Sequence, residues 1–175
     1  MTPMLRYNHD ISQKLVSFDG SQKHVVEAFD ALYERLVLAN LNHKRVFSFF
    51  KKWVGVNSNL RGIYLWGGVG RGKTYLMDLF YECLPFSEKQ RIHFHRFMLS
   101  IHEELECLQG VRNPLDRIAV RIAEKTKVLC VDEFFVLDIG DAMLLSGLLE
   151  GLFKRGVVFV ATSNAHPDSL YKDGL

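Results

Sequence analysis

No stretch of this 175-residue chain approaches the run of about 18 apolar residues that a membrane-spanning helix needs, so a transmembrane reading is set aside at once. An excess of one charge is also missing. Lys and Arg number 22 against 20 Asp and Glu, a net +2, and composition alone points to neither nucleic acid nor a membrane surface. Cysteine is scarce and odd in number. Cys130 falls in an apolar strand, and Cys83 and Cys107 fall on apolar helices. They read as reduced, buried thiols of a cytosolic, cytoplasmic protein. The first residues, Met-Thr-Pro-Met-Leu-Arg, lack the apolar core of a secretory leader, and Asp10 speaks against a mitochondrial presequence. No internal repeat or low-complexity tract is present. With 48% hydrophobic and 24% charged residues, the composition is that of an ordinary globular domain.

Against this plain background one segment stands out. Residues 67–74 read Gly-Gly-Val-Gly-Arg-Gly-Lys-Thr and match G-x-x-x-x-G-K-[ST] at every fixed position. The glycines let the backbone curl until several N–H groups point at phosphate oxygens, and the helix that follows adds its positive end. Lys73 is the residue to reach the β- and γ-phosphates, and Thr74 to hold Mg²⁺ through its hydroxyl. The candidate nucleotide-binding residues are Gly67, Gly68, Val69, Gly70, Arg71, Gly72, Lys73, Thr74 and Tyr75. An apolar strand, 62–66, precedes them. A segment of helical spacing, 73–84, follows and stops before Pro85.

A second motif lies downstream. Val128-Leu-Cys-Val-Asp-Glu133 is an apolar strand that ends in two carboxylates, where buried parallel strands place their polar groups. Asp132 is read as the Mg²⁺-shell ligand and Glu133 as the group that polarises the attacking water. Phosphoryl transfer needs positioning and charge neutralisation more than covalent chemistry. A third strand, 157–162, leads to Ser163 and Asn164. Asn164 is positioned to contact the γ-phosphate or the water, the third candidate catalytic side chain beside Glu133 and Lys73. A turn-forming asparagine is the plainer alternative.

The remaining elements follow from periodicity and caps. Residues 1–18 read as a partly ordered arm. Asp19 caps a helix over about 21–39, followed by a basic amphipathic helix over 44–54 and a loop over 55–59. Strand 91–95 alternates as an edge strand does, and helix 98–109 follows. Pro114 opens a helix to about 124, Asp138 or Asp141 caps one to about 154, and Pro167 begins a short last helix. Strands alternating with helices specify a parallel α/β sheet flanked by helices. The expected organisation is an arm (1–18), a helical flank (19–60) and a nucleotide-binding core (61–175).

The chain resembles AAA+ P-loop NTPases, and more narrowly the Afg-type, ZapE-like family. Four stretches carry the resemblance: Tyr64 to Thr74, His93-Phe-His-Arg-Phe97, Asp132-Glu-Phe-Phe-Val136 with Asp138-Ile139 and Asp141-Ala-Met143, and Ala161-Thr-Ser-Asn164. Together they cover about Asp19 to Leu175. The resemblance implies Walker A and Walker B motifs at the first and third of these, and ATP with Mg²⁺ as cofactors. It implies a sheet ordered 5-1-4-3-2, ATP hydrolysis, and a homo-oligomeric, usually hexameric ring. It also implies action on a protein substrate, with the FtsZ ring of cell division as the bacterial candidate and protein quality control as the organellar one. An AAA+ module would continue past Leu175 with an arginine finger, a fifth strand and a helical lid. On this reading the core is truncated before the fifth strand, and the chain alone is weakly active.

Lesser features have two readings each. His93 and His95, on one strand face with His102 and Glu103 near, suggest a metal, but the spacing lacks a zinc signature. Phe97 and Met98 sit where a translocase carries its polypeptide-gripping loop, or they begin the apolar face of the following helix. Segment 44–54 meets an anionic membrane or acidic partner, or it packs on its own domain with its lysines extended to water. Nucleic acid is the disfavoured partner, because the aromatics of 43–53 fall on one packing face. A helicase-loader type of nucleic-acid-associated ATPase is the alternative function. A small-molecule kinase is a third, weakened by Glu133.

Overall fold

The structure, a computed structural model, describes residues 1–45 and 62–170. From residue 46 on, the expected basic helix of 44–54 and its loop lie outside the described residues. Two compact units divide the chain, Met1–Gly62 with Thr74–Ser87, and Ile63–Lys73 with Glu88–Leu175.

The first unit is helical. Helix α1 (Pro3–Ser12) occupies much of the expected N-terminal arm. Thr2 Oγ1 accepts from the Leu5 amide at 3.4 Å and Pro3 takes the first helical position, where its missing N–H costs nothing. Helix α2 (Gly20–Arg45) begins where Asp19 Oδ1 accepts from the Ser21 and Gln22 amides, at 2.7 and 3.2 Å. It runs beyond the expected end, through Asn40 and Asn42. Val26, Phe29, Leu32 and Leu36 form its buried stripe. Helix α3 (Lys73–Cys83) buries Leu76, Met77, Leu79 and Phe80, and Phe80 stacks on Phe29 with ring centres 4.6 Å apart. The buried Asp10 carboxylate accepts from Tyr75 Oη at 2.9 Å and from Arg6 Nε at 3.1 Å. Burial opposes its charge, but hydrogen bonds from Tyr75, His9 and Arg6 outweigh that and hold the carboxyl below its usual range. The Tyr75 phenol is pushed far up, first by burial and then by its bond to Asp10.

The second unit is the parallel sheet. Its strands are β1 (Ile63–Trp66), β2 (Lys89–His93), β3 (Val128–Asp132) and β4 (Val158–Ser163), ordered β1-β4-β3-β2. That matches the 1-4-3-2 part of the expected order. Every residue of the central β3 is buried, as its unbroken apolar run requires. Helices α4 (Phe94–Cys107), α5 (Pro114–Lys125) and α6 (Ile139–Lys154) connect the strands. Pro114 stands at the first position of α5, and Asp138 caps α6 by accepting from the Asp141 amide at 2.9 Å. A single 3-10 turn, Pro167–Ser169, follows β4.

The boundary between the edge strand and the helix after it also differs from expectation. The edge strand is Lys89–His93, not 91–95, and α4 starts at Phe94. Phe94, Phe97, Met98 and Ile101 recur with helical spacing and are all buried. That stripe overrides the short apolar-polar alternation of residues 91–95. Phe97 and Met98 therefore belong to the core, with Ile118, Leu129 and Leu148, and the polypeptide-gripping reading of this pair is corrected. His95 lies in the first turn of α4, so it shares no strand face with His93. His102 Nε2 lies 2.8 Å from Asp141 Oδ1 instead. Cys130 is buried but Cys107 is exposed, so the thiols are not all core residues; all three are free. Among the described residues, no helix is long and apolar enough to cross a membrane.

Candidate functional site

Parallel strands deliver their C-terminal ends to one edge of the sheet. The register sets Trp66 beside Ser163, Val131 beside Ala161 and His93 beside Asp132. The phosphate loop leaves β1, the acidic pair leaves β3, and β4 ends between them. The Gly67 amide extends the β1–β4 ladder by donating to Ser163 O at 3.2 Å.

The loop then turns away from the sheet. Gly70 and Gly72 both have φ of 78°, a left-handed conformation that strains any residue with a Cβ. A Cβ added at Gly70 would meet nothing within 4 Å. The glycine there serves backbone conformation, and the space beside it is open. Lys73 Nζ donates to Gly67 O and Gly68 O, each at 2.7 Å, so its ammonium is held against the loop's own carbonyls. Trp66, half exposed just before the loop, sets its ring edge-on to His166 with centres 4.4 Å apart.

The two carboxylates of β3 live in opposite environments. Asp132 is 6% exposed, whereas the Glu133 side chain is 80% exposed. Glu133 also has φ of 55°, which breaks the strand and turns its side chain out of the sheet. Its amide donates to Thr162 Oγ1 at 3.2 Å, and Thr162 Oγ1 donates to Asp132 Oδ1 at 3.3 Å. The other Asp132 oxygen, Oδ2, accepts from Arg91 Nε at 2.6 Å. His93 Nδ1 lies 3.8 Å from Glu133 Oε2. Beyond β4, Ser163 Oγ donates to Phe134 O at 2.6 Å and accepts from the Ala165 amide at 3.0 Å. Tyr64 Oη donates to Ala165 O at 2.9 Å, and burial raises its phenol, with the Ser163 hydroxyl opposing. Asn164, between these fastened residues, is exposed at the same edge.

The second unit thus brings together the loop residues 67–73, Asp132, Glu133 and Asn164. Thr74 and Tyr75 continue the chain into α3 and the first unit, where the Tyr75 hydroxyl is engaged by Asp10. Sequence reading passed over Thr162 and Arg91. Thr162 is one polar residue in an apolar strand, and the strand register was its available signal. Arg91 bonds a residue 41 positions away, and no local pattern marks it among 22 Lys and Arg. The residues fit a magnesium nucleotide. The left-handed glycines leave open space beside the loop, Lys73 is held on the loop's own carbonyls, and a carboxylate such as Asp132 is the kind of oxygen donor that suits a hard cation. Among the described residues, no group of three His, Cys, Asp or Glu could hold a metal by itself.

The cell division protein ZapE of Escherichia coli strain K12 is 47% identical over 183 residues, covering 100% of this chain and 49% of that protein. An uncharacterized protein of Schizosaccharomyces pombe is 39% identical over 206 residues, covering 99% of this chain and 45% of that protein. The chain thus spans about half the length of these relatives. Among solved structures, that of DnaI aligns with a TM-score of 0.53 at 18% identity, covering 90% of this chain and 73% of that one. It shares the fold. The family model of AFG1-like ATPases matches residues 1–175, and the chain belongs to that family.

Proposed function

We propose that this chain binds ATP with Mg²⁺ and that, within the longer protein, it hydrolyses ATP to remodel protein partners. The observation that carries the reading is the convergence of the phosphate loop, the buried Asp132 and the exposed Glu133 at one sheet edge. Lys73 neutralises phosphate charge, and the loop amides of 67–73 with Thr74 and Tyr75 form the remaining nucleotide contacts. Asp132 and Thr74 would hold Mg²⁺, which supplies charge neutralisation at the transferring phosphoryl group. Glu133, free of the sheet and open to solvent, orients and polarises a water. Asn164, exposed just after β4, is the hydrogen-bonding partner in this reading for that water or for phosphate.

Lys73→Ala is expected to abolish binding of a fluorescent ATP analogue. Glu133→Gln in the full-length protein is expected to bind the analogue and release no phosphate. Normal turnover in that variant would end the assignment of Glu133.

The likeness to ZapE extends the proposal to cell division in the cytoplasm, with the FtsZ ring as protein substrate and a hexameric assembly of the full-length chain. Since Phe97 and Met98 are buried, they are not the residues that grip a substrate. Stimulation of the full-length ATPase by FtsZ, and not by single-stranded DNA, is the expected result. The reverse would favour the nucleic-acid-associated alternative. Sedimentation of the full-length protein with and without nucleotide tests the hexamer.

A further inference from the structure

Asp132 is almost wholly removed from water, yet neither of its oxygens is left bare. Thr162 has one hydroxyl proton. Its oxygen accepts from the Glu133 amide, so the proton goes to Asp132 Oδ1. Arg91, on the neighbouring strand and itself only 22% exposed, donates to Oδ2 at 2.6 Å. A buried carboxylate is costly without a countercharge, and a guanidinium, permanently protonated and weakly hydrated, is the side chain best suited to supply one there. The negative charge that attracts Mg²⁺ is therefore already matched by a resident cation.

We infer that Arg91 makes metal capture conditional on nucleotide: it screens Asp132 against free Mg²⁺, so the ion enters only with the phosphates that share its charge. This rests on the reading of Asp132 as the Mg²⁺-shell residue. Arg91 is then a positioning residue, acting through Asp132. Free Mg²⁺ meets a site whose carboxylate has no uncompensated charge to offer. Magnesium held by phosphate brings its own anionic partners and needs from Asp132 only an oriented oxygen, which the Thr162 bond supplies.

The test uses the intact 175-residue chain, Arg91→Met, Arg91→Lys and Asp132→Asn. First, the melting temperature is followed against MgCl₂ without nucleotide, with NaCl at matched ionic strength as control. The wild-type curve is expected to be flat, and Arg91→Met is expected to rise with millimolar Mg²⁺. Arg91→Lys, which keeps the charge but not the planar fork, should fall between. Second, the Mg²⁺ concentration that half-saturates fluorescent ATP-analogue binding is expected to drop about tenfold in Arg91→Met, the scale on which groups behind a metal ligand act. A Mg²⁺ half-saturation in the Arg91 variants equal to or above that of wild type would overturn the inference. So would a nucleotide-free wild type stabilised by Mg²⁺ in a way that Asp132→Asn cancels. That second result needs no Arg91 variant to fold. If analogue binding ignores Mg²⁺ in both wild type and Asp132→Asn, the reading of Asp132 itself has failed, and the inference with it.

Discussion

Glu133 occupies a backbone conformation that costs an ordinary residue about 1 kcal/mol or more. Glycine would relieve that cost, and glycine cannot polarise water. Glu133→Gly is therefore expected to be at least as stable as Glu133→Ala in urea unfolding, although glycine is ordinarily the less stable of the two by roughly 0.5–1 kcal/mol. If alanine proved the more stable by that ordinary margin, no strain is stored at this residue. The thiols offer a second contrast. Burial pushes Cys130 up to about 12 from an ordinary value of 9.0, while Cys107 is exposed. A water-soluble thiol reagent at mildly alkaline pH should label Cys107 and spare Cys130 until the chain unfolds. The sign of the linkage is also set. Keeping Cys130 neutral contributes its full stability below pH 9.0, and that contribution is lost as pH rises toward about 12. Cys130→Ala should flatten the alkaline fall in stability, as read from denaturant midpoints. A slope equal to that of wild type would contradict the assignment.

Helices α5 and α6 approach closely at Gly151. A Cβ there would lie 2.8 Å from the Ala119 Cβ, an atom fixed to backbone. At Gly147, on the same helix, it would meet only the tip of Leu115 at 3.0 Å, which can rotate away. Gly151→Ala is expected to lose about 1 kcal/mol, because overpacking outweighs the helix propensity gained. Gly147→Ala should be neutral or stabilising. Thermal unfolding ranks them, and equal melting temperatures would show that α5 and α6 can separate freely. Elements were legible where one local rule dominated. The cap at Asp138, the proline opening α5 and the apolar runs of β3 and β4 all fell close to their expected places. The start of α4 was not legible, because residues 91–95 satisfy a two-residue period and Phe94 to Ile101 satisfy a helical one, and only packing chooses between them. Helix α1 was missed because its buried stripe holds Asp10, whose burial depends on Tyr75 far along the chain.

Among the described strands β1 pairs only with β4, so one side of the run Ile63-Tyr-Leu-Trp66 has no strand beside it. It has no charged side chain to discourage pairing with another molecule. This chain by itself is expected to be a monomer or to associate irregularly. Light scattering decides, and a discrete hexamer would contradict the expectation. The motif residues of the candidate site were legible, since each phosphate-loop and acidic position is specified by its neighbours in sequence. The groups that hold those residues in place, Thr162 and Arg91, come from other strands and became visible only through the sheet. The placement of Trp66 has a practical side. The chain has two tryptophans, Trp53 and Trp66, and the second adjoins the first loop glycine with its indole edge-on to an imidazole. With Trp53 replaced by Phe, the remaining indole becomes an intrinsic optical reporter. Its emission should respond to occupancy of the loop, so that ligand entry is watched in unlabelled protein.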